Sequence, residues 1–331
     1  MTDDHNSLRL RPSSLPNFRK RRYLGDDLCL PMHAFTEADQ QRVRDLYAFL
    51  GEAFAIFSPP PGAASAETGP ASEFILRQDV GALFRAVQQF GVSYTEASEL
   101  MAKTIHDVRG GGLSFLLNHL QFAQMRGDVS PESVRTFFFL TRDHLKIMRN
   151  ALLCLDDQKR EEDLQPKLHG ISFIVEKWKG AMLRDVNRDV RLEVDSRFNG
   201  NISECCVEFG ALDRILYNLI NNAARHTATD QVRLTIVPLP ETNSLDLRFI
   251  VTNEVSESDA AALQSRDLGE LFRPGVSSSG SGFGMTVAAD FVANAYGLGS
   301  RDKAVAGEYL GAQLLQQRFL AWFHWPIADD I

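Results

Sequence analysis

Residues 214–227 read RILYNLINNAARHT and decide the fold of the C-terminal half of this 331-residue chain. Apolar side chains recur there at helical spacing and predict a helix over 211–227 with one buried side. These residues are Leu212, Ile215, Leu216, Leu219 and Ile220. Asn218 and Asn222 lie four residues apart on one face, just beyond the apolar stripe. Such carboxamides could bind Mg²⁺, but a pair of polar helix residues is more commonly a solvated face, so the stretch alone leaves both interpretations open.

A glycine-rich loop follows this helix, after a pair of strands. Residues 268–274 read LGELFRP, and residues 277–284 read SSSGSGFG and lead into a second helix over 285–295. Backbone N–H groups of such a loop, at the N-terminus of a helix, form an anion site. The loop lacks the preceding strand and following acid of a dinucleotide-binding turn, and the Gly-Lys-Ser/Thr end of a P-loop. It therefore predicts an anion site outside those two classes.

The chain after Pro166 consists of short alternating runs that are typical of strands. The predicted strands are 190–194, 205–209, 232–237 and 245–251. With the two helices, they predict an α/β sandwich whose helices cover one face of a mixed sheet.

Residues 72–125 and 130–163 have helical periodicity. In the first of these stretches, alternating spacings of three and four define a coiled-coil-like seam, which consists of Val108, Gly111, Phe115, Asn118, Phe122 and Met125. Ser130-Pro131-Glu132 has the capping hydroxyl, proline and acid of a helix start. Two long helices make only half of a four-helix core, so we expect two such hairpins to pair in a dimer.

Composition excludes several classes of protein. The 35 basic and 43 acidic side chains give a net charge of −8, which argues against nucleic acid as a partner. The cysteines have no metal-site spacing and are expected to be reduced thiols; they are Cys29, Cys154, Cys205 and Cys206. The N-terminus lacks the apolar segment of a signal peptide, and no run is long enough to span a bilayer. We therefore expect a cytoplasmic protein without membrane insertion.

The order of these features resembles the ATP-binding domain of histidine kinases, which has the Bergerat fold. In that resemblance, the helix over 216–227 is similar to the N box, residues 271–274 to the F box, residues 280–284 to the second glycine box, and residues 319–326 to the closing strand. The resemblance implies ATP and Mg²⁺ as cofactors, with Asn222 as the metal ligand. The nucleotide-binding residues that it implies are Asn218, Asn222, Arg225, Asn253, Phe272, Gly280, Gly282 and Gly284.

The upstream segment Thr104-Ile105-His106-Asp107-Val108-Arg109 resembles the H box of the phosphotransfer hairpin in the same family. His106 would be the nucleophile that takes the γ-phosphoryl group, and Asp107 would orient its ring proton. His119 and His144 lack the His-Asp-x-Arg neighbourhood and are interpreted as structural. The implied partners are a second copy of the chain, the receiver domain of a response regulator and a separate sensor protein.

The chain departs from the family pattern in three features. Where the first glycine box normally has Asp-x-Gly-x-Gly, residues 253–257 read NEVSE, so Asn253 replaces the acid that binds the adenine amine and Val255 replaces a glycine. Gly110-Gly111-Gly112 follows His106 where the family often has a proline, and it predicts either a hinge or close helix packing. Gly110 also occupies the position that orients a hydrolytic water in bifunctional members, so phosphatase activity by that route is not expected.

The predicted fold class is α+β, with a helical hairpin that forms a four-helix bundle as a dimer, followed by an α/β sandwich of the Bergerat type. The predicted domains are an N-terminal arm, short helix and linker over 1–74, a dimerisation and phosphotransfer hairpin over 75–165, and an ATP-binding domain over 166–331. The leading hypothesis is a cytoplasmic histidine kinase. The alternatives are a pseudokinase or scaffold dimer of the same fold and another ATP-dependent member of the superfamily without histidine phosphorylation.

Overall fold

The computed structural model describes residues 28–60, 66–94, 97–110, 112–127, 129–185, 188–239, 246–274 and 283–327. Within them the chain forms two compact units, one ending at Asp163 and the other beginning at Leu164. The first is helical and the second combines helices with a mixed sheet, which confirms the predicted fold class at this level. No described helix is long and apolar enough to cross a bilayer.

The first unit is a helical bundle with one short parallel strand pair. Its helices are α1 (Glu37–Phe57), α2 (Thr68–Arg77), α3 (Val80–Gln89), α4 (Glu99–Arg109), α5 (Gly112–Arg126), α6 (Pro131–Ala151) and α7 (Asp157–Leu164). The strands β1 (Leu30–Pro31) and β2 (Leu152–Leu153) pair in parallel. The predicted start at Ser130 is confirmed, since its hydroxyl accepts a hydrogen bond from the Ser133 N–H at 3.1 Å.

Helix α1 packs along α6 through stacked aromatic rings. The ring centroids of Phe57 and Phe137 are 5.2 Å apart, and those of Phe54 and Phe138 are 5.6 Å apart. Phe74 of α2 closes the same cluster against Phe57 at 5.6 Å. Helix α1, which the sequence places in an N-terminal segment, thus lies in one unit with the hairpin and covers the apolar face of α6 within one chain.

The predicted long helix over 72–125 is also divided. Helix α4 ends at Arg109 and α5 begins at Gly112, so the described residues form two helices here rather than one. Gly111 lies outside the described residues. Val108 of the predicted seam is buried, whereas Phe122 and Met125 are 39% and 76% exposed. The remaining apolar face of α5 is the buried one, and it consists of Leu113, Leu116, Leu117 and Leu120.

The second unit is built on a six-stranded mixed sheet in the order β4-β5-β7-β8-β10-β9. These strands are β4 (Met182–Asp185), β5 (Arg188–Ser196), β7 (Gln231–Leu239), β8 (Asp246–Glu254), β9 (Leu310–Leu315) and β10 (Arg318–Pro326). Only β5 and β7 pair in parallel. A separate antiparallel pair joins β3 (Pro166–Gly170) to β6 (Asn201–Cys205).

The helices of this unit are α8 (Ser172–Trp178), α9 (Cys206–His226), α10 (Glu257–Gln264), α11 (Phe283–Ala295) and α12 (Arg301–Ala306). Helices α9 and α11 pack against each other, α9 contacts β7 and β8, and α11 contacts β10. The predicted strand over 205–209 is wrong beyond Cys205. The Glu208 carboxylate accepts a hydrogen bond from the Glu204 N–H at 2.7 Å, and this interaction stabilises a helix start over the same residues.

Candidate functional site

Helix α9 presents the predicted asparagines at the edge of its buried side. Asn218 and Asn222 are half-buried, Arg225 is exposed, and the five apolar residues of the stripe are buried in the core. Both carboxamides therefore lie beside the apolar stripe, as the helical spacing predicts.

Helices α9 and α11 pack in antiparallel directions. The guanidinium carbon of Arg214 lies 4.4 Å from the ring centroid of Phe291, and a Cβ added at Gly284 would lie 3.4 Å from Oδ1 of Asn218. Residue numbers rise from Arg214 to Asn218 along α9, whereas those of the residues they contact fall from Phe291 to Gly284 along α11. Asn222 is one helical turn beyond Asn218 and therefore lies beyond the N-terminal turn of α11. The structure thus brings Asn218 and Gly284 together. Gly280 and Gly282 lie outside the described residues.

Asn253 lies near the end of β8, with Val232 and Phe319 as its partners on the neighbouring strands. The Ala228 N–H donates to the Glu254 carbonyl at 2.6 Å, so the C-terminal end of α9 meets the sheet at this point. Asn253 is 4% exposed, and its Nδ2 has no hydrogen-bond partner among the described residues. An unsatisfied buried donor costs about 1–3 kcal/mol, and a ligand that accepts from this Nδ2 would recover that free energy.

The segment after Asn253 leads directly into helix α10. Val255 is buried, and its N–H donates to the Gln317 carbonyl at 2.8 Å. The Ser256 hydroxyl then accepts from the Asp259 N–H at 3.1 Å and caps α10. A helix therefore begins four residues after Asn253, and the buried Val255 lies between them.

The predicted F-box residue Phe272 is buried at the end of a 3₁₀ turn over Leu268–Phe272. This turn contacts α11, α12 and β9, and the Asp267 carboxylate accepts the Gly269 N–H at 2.9 Å. Phe272 is thus a core residue that fixes the turn beside α11.

His106 lies in the last turn of α4, not in the middle of a long hairpin helix as predicted. Its Nδ1 is 3.4 Å from Oδ1 of Asp107, and the side chains are 19% and 8% exposed. With Nδ1–H donating to this carboxylate, the lone pair of the neutral ring is on Nε2. A Cβ added at Gly110 would lie 3.8 Å from this Nε2, so Gly110 lies beside that ring nitrogen.

Three contacts hold the end of α4, and the sequence did not indicate them. The His144 Nε2 bonds the Val108 carbonyl at 3.1 Å, and the Arg109 Nε donates to the Val87 carbonyl at 3.1 Å. Gly91 packs so closely on Ile105 that an added Cβ would lie 2.7 Å from its side chain. The prediction of structural roles for His119 and His144 agrees with this, since His119 bonds its own helix at the Phe115 carbonyl, 2.9 Å away.

Burial lowers the pKa of His144 to about 4, against smaller opposing effects of the Val108 hydrogen bond and Asp143. His144 is therefore neutral at physiological pH, and its Nε2–H donates to the Val108 carbonyl. The only sequence signal for this contact is a histidine on a helix.

The described residues contain no group of three or more His, Cys, Asp or Glu side chains that could hold a metal ion. A Mg²⁺ ion at Asn222 would be held by its carboxamide oxygen, and phosphate and water are the other ligands that Mg²⁺ commonly keeps. Together with the unpartnered Asn253 Nδ2, these residues fit a nucleotide that brings its own metal.

No protein-family model and no curated protein sequence matches the chain. Similar solved structures include full-length ShkA in complex with AMPPNP, with 17% identity over 69% of this chain and a TM-score of 0.31. The chain spans 44% of the length of ShkA. The histidine kinase AdeS of Acinetobacter baumannii has 12% identity over 68% of this chain and 98% of its own, at a TM-score of 0.28. A histidine kinase from Burkholderia phymatum has 11% identity over 70% of this chain and 100% of its own, at 0.30.

Proposed function

We propose that the protein is a cytoplasmic histidine kinase of two-component signalling. In this proposal, the second unit binds ATP and Mg²⁺, His106 is phosphorylated, and a response-regulator aspartate then takes the phosphoryl group. The observation that supports it best is the antiparallel packing of α9 on α11, because it brings Asn218 beside Gly284 at the N-terminus of a helix. Backbone N–H groups at such a terminus favour phosphate.

Asn253 supports the same proposal from the sheet side. The hydrogen bond between Ala228 and Glu254 joins the C-terminal end of α9 to the end of β8, so Asn222 and Asn253 lie toward the same end of the unit. One purine nucleotide could then place its base at Asn253 and its phosphates at the start of α11.

In the proposed reaction, bound ATP supplies the phosphoryl group and Mg²⁺ neutralises its charge. The His106 Nε2 lone pair forms the new N–P bond as the bond between the γ-phosphorus and its bridging oxygen breaks, and ADP leaves. Asp107 holds the Nδ1 proton and stabilises the positive charge that develops on the ring. Gly110 leaves space beside Nε2 for the approach of the donor and, later, of the receiver aspartate.

A second candidate is a pseudokinase or scaffold dimer that does not turn over ATP. Val255 favours it, because this buried side chain stands where the family has glycine backbone against the base. The capped start of α10 makes that segment rigid as well.

The proposed partners are a second copy of the chain, a receiver domain and a separate sensor protein. Phe115, Phe122 and Met125 continue the predicted seam along α5, and the last two remain exposed in the single chain. Covering this stripe with its copy would remove apolar surface from water, which favours a dimer.

Incubation of the full chain with γ-labelled ATP and Mg²⁺ separates the two candidates. The kinase predicts label that is acid-labile and alkali-stable, as expected for phosphohistidine. Calorimetric ATP binding without such label would favour the scaffold instead.

A further inference from the structure

Asn253 differs chemically from the carboxylate that the resemblance leads one to expect. An ionised carboxylate only accepts hydrogen bonds, whereas a carboxamide has one accepting and one donating end of nearly equal shape. In this chain the donating Nδ2 is buried without a partner among the described residues. The residues opposite Asn253 on the two neighbouring strands are Val232 and Phe319, whose side chains offer no hydrogen bond that would fix one orientation of the amide.

We propose that Asn253 recognises position 6 of a purine base with either end of its carboxamide, so that the site accepts 6-oxo purine nucleotides as well as ATP. This inference rests on the nucleotide site proposed above and specifies its substrate class.

The hydrogen-bonding edge of the base decides the match. Adenine donates from its 6-amino group and accepts at N1, so it pairs with Oδ1 and Nδ2 of Asn253, respectively. Hypoxanthine and guanine accept at O6 and donate from N1–H, so they pair with the same amide turned by half a rotation. With one oxygen facing position 6 and the other turned away from N1, an aspartate could accept from the adenine amine. In the same pose it would face O6 with an acceptor, and that mismatch would weaken the binding of a 6-oxo purine.

Among the described residues, Val255 and Ser256 after Asn253, and Thr227 at the end of α9, are engaged in other contacts. Val255, two residues further on, is apolar and buried. The Ser256 hydroxyl bonds the Asp259 N–H as the cap of α10. The Thr227 hydroxyl at the end of α9 lies within hydrogen-bond distance of Thr229 and the Gln231 carbonyl.

The test compares ATP with ITP, because inosine differs from adenosine at position 6 and at the N1 proton but lacks the 2-amino group of guanine. Calorimetric titration of the full chain in Mg²⁺ should give dissociation constants for the two nucleotides within about tenfold of each other. Asn253→Asp should keep ATP binding and weaken ITP by about 100-fold relative to ATP. Asn253→Ala is the matched control, and it should weaken both nucleotides to a similar extent.

The outcomes distinguish this inference from the function on which it rests. ATP binding with ITP more than about 100-fold weaker in the wild type would overturn the inference and leave the kinase proposal standing. An ATP-to-ITP ratio that Asn253→Asp leaves unchanged would also overturn it. If neither nucleotide binds to a chain whose tryptophan emission is native, the proposed nucleotide site fails, and this inference fails with it.

Discussion

At the residue scale, the account depends on the surroundings of one imidazole. His106 has Asp107 on its Nδ1 side and Gly110 on its Nε2 side. In the proposed reaction, Nδ1 holds a proton and Nε2 attacks the γ-phosphorus. The sequence predicted the pair of His106 and Asp107, but it did not indicate that Gly110 would lie beside the ring, because that depends on where α4 ends.

Gly110→Ala tests the space beside Nε2. The new Cβ would lie 2.7 Å from the His106 carbonyl, which is too close, so the end of α4 must shift and reorient the ring. We expect the rate of histidine phosphorylation to fall by about tenfold or more while ATP binding by calorimetry stays unchanged. Gly69→Ala is the matched control, since nothing lies within 4 Å of its Cβ position. Equal phosphorylation rates in the two variants would contradict this role of Gly110.

His144 makes the stability of the chain depend on pH. Its pKa is lowered to about 4 in the folded state, against about 6.5 when unfolded. The unfolded chain therefore binds the proton first, so this contribution is complete above pH 6.5 and is lost as the pH falls toward 4. The loss between pH 7.5 and pH 5 is about 2 kcal/mol.

Urea unfolding followed by circular dichroism measures this effect. The free energy of unfolding should fall between pH 7.5 and pH 5 by about 2 kcal/mol more in wild type than in His144→Gln, which keeps a donor but does not titrate. The same pH dependence in both proteins would show that His144 is not the group responsible.

At the scale of elements, the sequence predicted α9, α11 and β7 closely because their apolar periodicity agrees with their burial. The prediction from sequence failed where one pattern fits either of two elements, or where it continues from one element into the next. Residues 206–209 fit a strand by alternation, but the Glu208 capping interaction makes them the first turn of α9. The periodicity over 72–125 continues across the glycines because α4 and α5 each bury an apolar face, although the chain breaks between them. Contacts made by distant residues, such as His144 with Val108, leave no periodic signal.

Helix α9 gives the clearest test of the nucleotide site. Asn222→Ala and Asn222→Asp should each weaken Mg²⁺-dependent nucleotide binding by about tenfold or more, because the carboxamide oxygen is the proposed metal ligand. Asn218→Ala should act in the same direction but less. Gly210→Ala lies on the same helix with nothing within 4 Å of its Cβ position and should bind as wild type does. If both Asn222 variants bind the nucleotide with unchanged calorimetric affinity, Asn218 and Asn222 are solvated surface residues and not part of a nucleotide site.

At the scale of the whole molecule, the two-unit organisation was predictable from the change of periodicity near Pro166, and the observed boundary lies at 163/164. The sequence could not predict that α1 belongs to the helical unit, because its apolar face is compatible with a separate helix as well as with a bundle. Its packing on α6 also changes the argument for a dimer. Because α1 already covers α6, a second copy of the chain is not needed to bury that helix. The proposal of a dimer therefore rests on the stripe along α5 that remains exposed.

A truncation after residue 165 tests that stripe. The helical unit should fold alone and form a dimer in light scattering. Met125→Glu should shift it to a monomer, because the new charge would be buried in the interface. Val92 is also largely exposed, at 64%, but lies outside the stripe, so Val92→Glu should leave the dimer intact. A wild-type fragment that is folded and monomeric at about 100 μM would refute the proposed interface.

The proposed function requires that the phosphoryl group of ATP reaches His106. The most direct measurement incubates wild type, His106→Gln and His33→Gln with γ-labelled ATP and Mg²⁺ and quantifies acid-labile, alkali-stable label. His33 is an exposed histidine of the same unit and serves as the control. The account predicts label on wild type and on His33→Gln and none on His106→Gln, with ATP binding equal in all three. Label that persists on His106→Gln would contradict it.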